Sequence, residues 1–359
     1  MRHALWIFVS VFSVAGLVGT PAASTADHAR GFLTAAFMLS TAELGQVDRG
    51  QIITRTLATK NAREVATLGV VRVRTTPEHY VERLRDIAAF KRTDDILQIG
   101  TFSSAAREAD VAPLVIEDAD LKRLRECRVG DCAIRLSSGA IERVRREIDW
   151  RTTDASPHAS RLLRQLLVSY VAGYQQRGGA AAMEYAGTSP PLNVGREFAS
   201  LVDADTSTWT YVPRLRSHLL EYPAAAGDAS SDFVYWSKER VHGRPVISIT
   251  HVAIVPGDGK SPVDYAIGSK QIYAMHYFDA SLGVTLLVRD TSASGPSTYV
   301  VYLNRSRIDL FDGLFGGVAR RIVAGRARTL VGEQLGRLQR DFAADVIRQG
   351  AGSQESATR

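Results

Sequence analysis

Cysteine is nearly absent from this chain: its 359 residues contain two, Cys127 and Cys132, in the segment CRVGDC. No further ligand stands beside them to complete a zinc site. Their spacing is not C-x-x-C, and no thioredoxin-like βαβ pattern surrounds them, which argues against a redox motif. Catalytic signatures are missing too. There is no H-E-x-x-H, no G-x-S-x-G and no dinucleotide fingerprint. GDGKS at 257–261 imitates the end of a phosphate loop, but Ile254 stands where the loop needs glycine and Pro262 where a helix should begin. No repeat of fixed period appears, and beyond the N-terminal segment no apolar run is long enough to cross a bilayer.

That N-terminal segment is MRHALWIFVSVFSVAGLVGTPAASTAD, with Arg2 ahead of an apolar run from Ala4 to Val18 and small residues around Ala22, Ser24 and Ala26. It is read as a secretory signal peptide over 1–26, so the protein is expected to be exported, periplasmic or secreted. In an oxidising compartment Cys127 and Cys132 are expected to close a local disulfide around Val129, Gly130 and Asp131. The formal charge of +6 falls to +5 once Arg2 is removed. A mild basic excess outside the cytoplasm favours an anionic membrane surface over nucleic acid as a partner.

The mature chain is expected to form one elaborate α+β domain over 27–349, followed by a disordered tail at 350–359. QIITRTLAT and EVATLGVVRVRT read as a strand pair, and Thr76-Pro77-Glu78 opens an amphipathic helix. ILQIGTF is a short strand. Residues 105–225 are mostly helical, with a long helix from Ser156-Pro157 to Gly178-Gly179 and shorter ones at 194–203 and 210–221. From 230 to 349 the pattern is antiparallel sheet plus a long helix, beginning with a hairpin at His242-Gly243.

The last helix is unusual in its glycines: Gly316, Gly317, Gly325, Gly332 and Gly336. Each interior glycine costs about 0.5–1 kcal/mol relative to alanine, which points to a surface that comes close to something. Val318, Ile322, Gly325, Thr329, Gly332 and Gly336 share one face, beside a bulkier stripe with Val331, Leu335 and Phe342. Two readings stand. Either the glycines allow close packing, or large residues clamp the helix while small ones roof an apolar cavity. A strand leading into T-P-E-H-Y-V-E-R-L-R-D-I, then antiparallel strands, then a long final helix resembles the START-type, polyketide-cyclase-like helix-grip proteins. The resemblance implies a sheet wrapped on that helix around a ligand cavity, a hydrophobic or lipid-like ligand, and transport or sensing.

The expected function is therefore non-catalytic binding of an apolar or lipid-like small molecule, without cofactor or metal. The candidate ligand-binding residues are Tyr235, Trp236, Lys238, His251, Lys270, Tyr273, His276 and Tyr302 on strands, with Gly325, Gly332 and Gly336 on the helix. Alternation places Ile247, Ile249, His251 and Ala253 on one face, and Lys270, Ile272, Ala274 and His276 on another. The alternatives are a periplasmic hydrolase or isomerase using His251 or His276, and an envelope protein-interaction module.

Overall fold

The computed structural model describes residues 25–224, 231–309 and 316–357. The expected signal peptide falls outside them except for its last two residues. The fold is α+β, built on one eight-stranded antiparallel sheet and a long C-terminal helix. Two short helices, α1 (Thr25–Phe37) and α2 (Thr41–Asp48), precede strands β1 (Ile53–Leu57) and β2 (Glu64–Val73). Thr76 then caps α3 (Pro77–Arg85) by accepting a hydrogen bond from the His79 amide, with Pro77 in the first turn. The short α4 (Ile87–Phe90) leads into β3 (Ile96–Thr101).

The helical region follows as α5 (Asp118–Glu126), α6 (Ser138–Glu147), α7 (Ala155–Arg177), α8 (Val194–Asp203), α9 (Thr206–Tyr211) and α10 (Pro213–Glu221), with a minor pair of two-residue strands, β4 (Glu184–Tyr185) and β5 (Leu192–Asn193). The helix expected at 210–221 starts at Pro213, whose ring suits a first turn and breaks it from α9. Gly178 ends α7 at φ +54°, where an added Cβ would lie 1.5 Å from the Tyr222 carbonyl oxygen. Cys127 and Cys132 are joined by a disulfide.

The remaining strands are β6 (Ser231–Val241), β7 (Arg244–Pro256), β8 (Tyr265–Ala274), β9 (Phe278–Arg289) and β10 (Thr298–Ile308). His242 and Gly243 both have positive φ, as a two-residue turn matched to strand twist requires. The sheet order is β1-β2-β10-β9-β8-β7-β6-β3. The five late strands form a meander, and the early strands β2 and β3 close its two sides, linked by α3 and α4.

Three layers result. On one face of the sheet, α1, α2 and α5 to α10 bury two large apolar clusters, one against β6, β7 and β8, the other chiefly against β2, β9 and β10. On the other face lie α3, α4 and α11 (Gly316–Ala357), which pack over Val71, Val300, Val252 and Ile267. Helix α11 follows the β1–β2 side of the sheet. Its backbone continues to Ala357, through most of the segment expected to be a disordered tail; alanine, glutamine and glutamate there are good helix formers.

Candidate functional site

Between α11, α3 and α4 on one side and the sheet on the other lies a cavity of about 1000 Å³. The apolar part of its roof is Ile322, Val323, Leu330 and Val331 from α11, and Leu84, Ile87 and Phe90 from α3 and α4, with charged side chains such as Arg326, Glu333 and Arg337 of α11 beside them. Its floor is a row of small polar side chains on adjacent strands: Ser248 and Thr250 on β7, Ser269 on β8, Ser281 and Thr285 on β9, Ser306 on β10. Pairing explains their alignment. Thr250 lies opposite Gln271, Ser269 opposite Gly283, and Gly283 opposite Asn304, so cross-strand partners share one face.

Part of this floor is internally satisfied. The Ser281 and Ser306 hydroxyls are 2.8 Å apart, Ser306 donates to Asn304 Oδ1 at 3.0 Å, and Asn304 Nδ2 donates to the Tyr302 hydroxyl at 3.4 Å. Among the described residues, two floor atoms, Thr67 Oγ1 on β2 and Gln271 Oε1 on β8, are buried without a hydrogen-bond partner, as is Nε of Arg337 on α11. All three residues line the cavity.

At the α4 end, Lys91 donates to Glu239 Oε1 at 2.8 Å and to the Tyr235 hydroxyl at 3.3 Å, and Ser237 also donates to Glu239 at 2.7 Å. Burial works against the Lys91 ammonium, but Tyr235 and Glu239 outweigh it and raise its pKa. Burial likewise pushes the Glu239 carboxyl up, and Lys91 overrides it, so the pKa falls. Lys91 is the one lysine among the described lining residues, and its charge is answered by Glu239.

The sign of the pH dependence follows. A depressed Glu239 stabilises the fold above its unfolded pKa and stops doing so as pH falls through the folded one; a raised Lys91 does so below its unfolded pKa until pH rises through the folded one. The pair contributes fully between about pH 5 and pH 10. Glu239→Gln is expected to cost on the order of 1–2 kcal/mol at pH 7, between the values for exposed and buried pairs. Urea midpoints of the two proteins should converge as pH is lowered toward 2; a pH-independent gap would rule out the ion pair as the cause.

Of the candidate binding residues, Tyr235, Tyr302 and Gly325 line the cavity. Burial raises the Tyr302 pKa, keeping it a neutral hydroxyl. Trp236, Lys238, His251, Lys270 and Tyr273 instead serve the opposite face, beneath the helical layer. Trp236 donates Nε1–H to the Asp110 carbonyl oxygen at 2.8 Å, and Lys238 is held by Glu117 at 2.7 Å and the Val115 carbonyl oxygen at 3.1 Å. Lys270 donates to the Leu219 carbonyl oxygen at 2.9 Å, with its ammonium over the Phe198 ring; burial lowers its pKa to about 8. Tyr273 sits in the core of the helical layer.

The simple alternation expected for β8 breaks at Ile272. Ile249 pairs with Tyr273 and Thr250 with Gln271, leaving Ile272 as a bulge. Ile272 and Tyr273 consequently both join the cluster under the helices, while Ala274, opposite Ser248, turns to the cavity side. His276 lies beyond the strand, its ring nitrogens 3.0 Å from Asp120 Oδ1 and 3.1 Å from the Ala133 carbonyl oxygen. Asp279 binds Arg63 and Arg135.

The helix glycines are not the close-contact points that their sequence suggests. A Cβ on Gly332 would lie 3.6 Å from Thr54 and one on Gly336 3.4 Å from Ile52, both ordinary contacts beside β1; Gly325 has nothing within 4 Å. The close approach is made by Gly69, in the middle of β2. A Cβ there would fall 2.5 Å from Val331 Cγ1 and 2.6 Å from Leu335 Cδ1.

The hydroxyl floor is what sequence reasoning passed over. Its signal is present: Ser248-x-Thr250, Ser269-x-Gln271, Ser281-x-Gly283-x-Thr285 and Tyr302-x-Asn304-x-Ser306 recur at every second position in four successive strands, with Ile249, Leu282, Val284 and Leu303 but also Lys270 and Arg305 between them. No family model matches the chain, and neither any curated protein nor any solved structure matches it.

Proposed function

We propose that the protein is an exported, non-catalytic carrier or sensor of an amphipathic, lipid-sized small molecule, held between α11 and the sheet. The observation that carries this reading is an apolar stretch of roof facing a polar floor that contains two orphaned buried atoms, Thr67 Oγ1 and Gln271 Oε1. An unsatisfied buried polar group costs about 1–3 kcal/mol, so a ligand that hydrogen-bonds both recovers a substantial free energy. A volume near 1000 Å³ is at the upper end of small-molecule sites and accommodates a lipid chain or a multi-ring compound. Lys91 and Glu239 answer one another's charge, and Arg326 and Arg337 of α11 also line the cavity, which favours a ligand with hydroxyl or carbonyl acceptors along one edge. The layout also supports the helix-grip resemblance, and the disulfide supports export.

Native mass spectrometry of the secreted protein, followed by organic extraction, tests this. The expected result is an N-terminally processed chain carrying one bound amphipathic molecule, lost when the floor is filled by Thr250→Phe without loss of folding. A clean apo mass, with no uptake from a total lipid extract, would sink the carrier reading.

A further inference from the structure

On the far side of the sheet from the cavity, three metal-ligating side chains converge where α10 crosses the starts and ends of β6 and β7. His218 on α10 places Nε2 2.6 Å from Asp232 Oδ1, and His251 on β7 places Nε2 2.9 Å from the same oxygen. The one ligand atom offered by each of His218, Asp232 and His251 lies within 4.8 Å of the other two. Both imidazoles are almost wholly buried, and Asp232 is half-buried.

The surroundings orient the set. Tyr174 on α7 holds its hydroxyl 2.9 Å from His251 Nδ1, which leaves Nε2 aimed at the shared oxygen. A metal-bound histidine commonly has its second ring nitrogen held by such an outer partner, which fixes the ring and the tautomer. Tyr222 packs beside both imidazoles, its ring centroid 4.4 Å from that of His251. The site is thus built from four separate elements rather than from one flexible segment.

We infer that His218, Asp232 and His251 form a binding site for a transition-metal dication, Zn²⁺ being the best match, that ties α10 to the sheet. Two imidazole nitrogens and one carboxylate oxygen are a borderline donor set that suits Zn²⁺ and is too poor in oxygen for Ca²⁺ or Mg²⁺. Ligand atoms about 2 Å from a tetrahedral zinc stand roughly 3.3 Å apart, so small side-chain shifts from the present separations suffice. Three protein ligands leave one position for water. The role is structural: His251 and His218 do not line the ligand cavity, and the ion would hold the helical layer against β6 and β7. The site does not depend on the carrier reading.

The test is titration of tag-free, chelator-treated protein with Zn²⁺ by calorimetry, with Co²⁺ absorption as a second readout. The expected result is one equivalent bound at micromolar affinity or tighter, visible tetrahedral Co²⁺ bands, and a higher melting temperature with Zn²⁺. Asp232→Asn, at a half-buried position, should fold and weaken binding by roughly 100-fold. His276→Gln, whose ring is engaged elsewhere, should leave it unchanged. No Zn²⁺ uptake at about 10 µM, or uptake that survives Asp232→Asn, would overturn the assignment and leave the three groups as a hydrogen-bonded cluster only.

Discussion

Gly69→Leu is expected to lift α11 off the sheet and to cost about 3 kcal/mol, the upper end of the range for overpacking. A Cβ alone at this position would meet Val331 and Leu335 at 2.5 and 2.6 Å, and leucine adds three more carbons beyond it. Val331 and Leu335 are both buried and hold the middle of α11 against β2. Neither can retreat without moving the helix, because the floor of β2 is fixed by ladders to β1 and β10 on both sides. Urea unfolding measures the loss. Leu335→Ala should recover part of it in the double variant, since the two sites share one space. The same displacement opens the roof, so the proposed carrier function predicts that the variant also loses any extractable ligand. A Gly69→Leu protein as stable as the parent would show that α11 does not sit where it is described.

The second large effect concerns Trp236, the largest of the fully buried side chains. Trp236→Ala is expected to cost about 3–5 kcal/mol, as for other aromatic-to-alanine changes in cores. Its indole lies over Gly100 on β3, where a Cβ would come within 2.7 Å of the ring, and its N–H is the hydrogen-bond partner of the Asp110 carbonyl oxygen. Both contacts vanish together with the packing against the helical layer. Trp236→Phe, which keeps most of the volume, should leave ligand retention unaltered, because the residue faces away from the cavity. A variant that loses the ligand while keeping its stability would put Trp236 back among the binding residues. A Trp236→Ala protein within about 1 kcal/mol of the parent would instead contradict the packing of helices on this face.

Much of the architecture was legible because it rests on short-range chemistry. Thr76 and Pro77 start α3, Gly178 stops α7, and His242-Gly243 turns β6 into β7, each through the backbone preferences of one or two residues. The antiparallel sheet was legible because tight turns join long strands. The candidate site was legible only in part. Tyr235, Tyr302 and Gly325 were placed at the cavity, whereas the charged and aromatic residues that drew attention, His251, Lys270 and Trp236, turned out to bind the second layer of helices. Attention to charge missed the serines and threonines, whose meaning emerges only when four strands are laid side by side. Likewise, the glycines of α11 concealed the one glycine that its packing requires, which lies in β2.

Local chemistry was enough for the main strands, for α3, α7, α8 and the long last helix, and for their order, since caps, turns and residue periodicity act within a few positions. Which face of each strand meets the cavity and which meets the second helical layer was settled by long-range packing. Strand alternation names two faces without saying which is which, and one bulge at Ile272 exchanges them within a single strand. The meeting of His218, Asp232 and His251 was beyond sequence for the same reason: the chain brings them together through the docking of α10 on the sheet, and no local pattern encodes that contact.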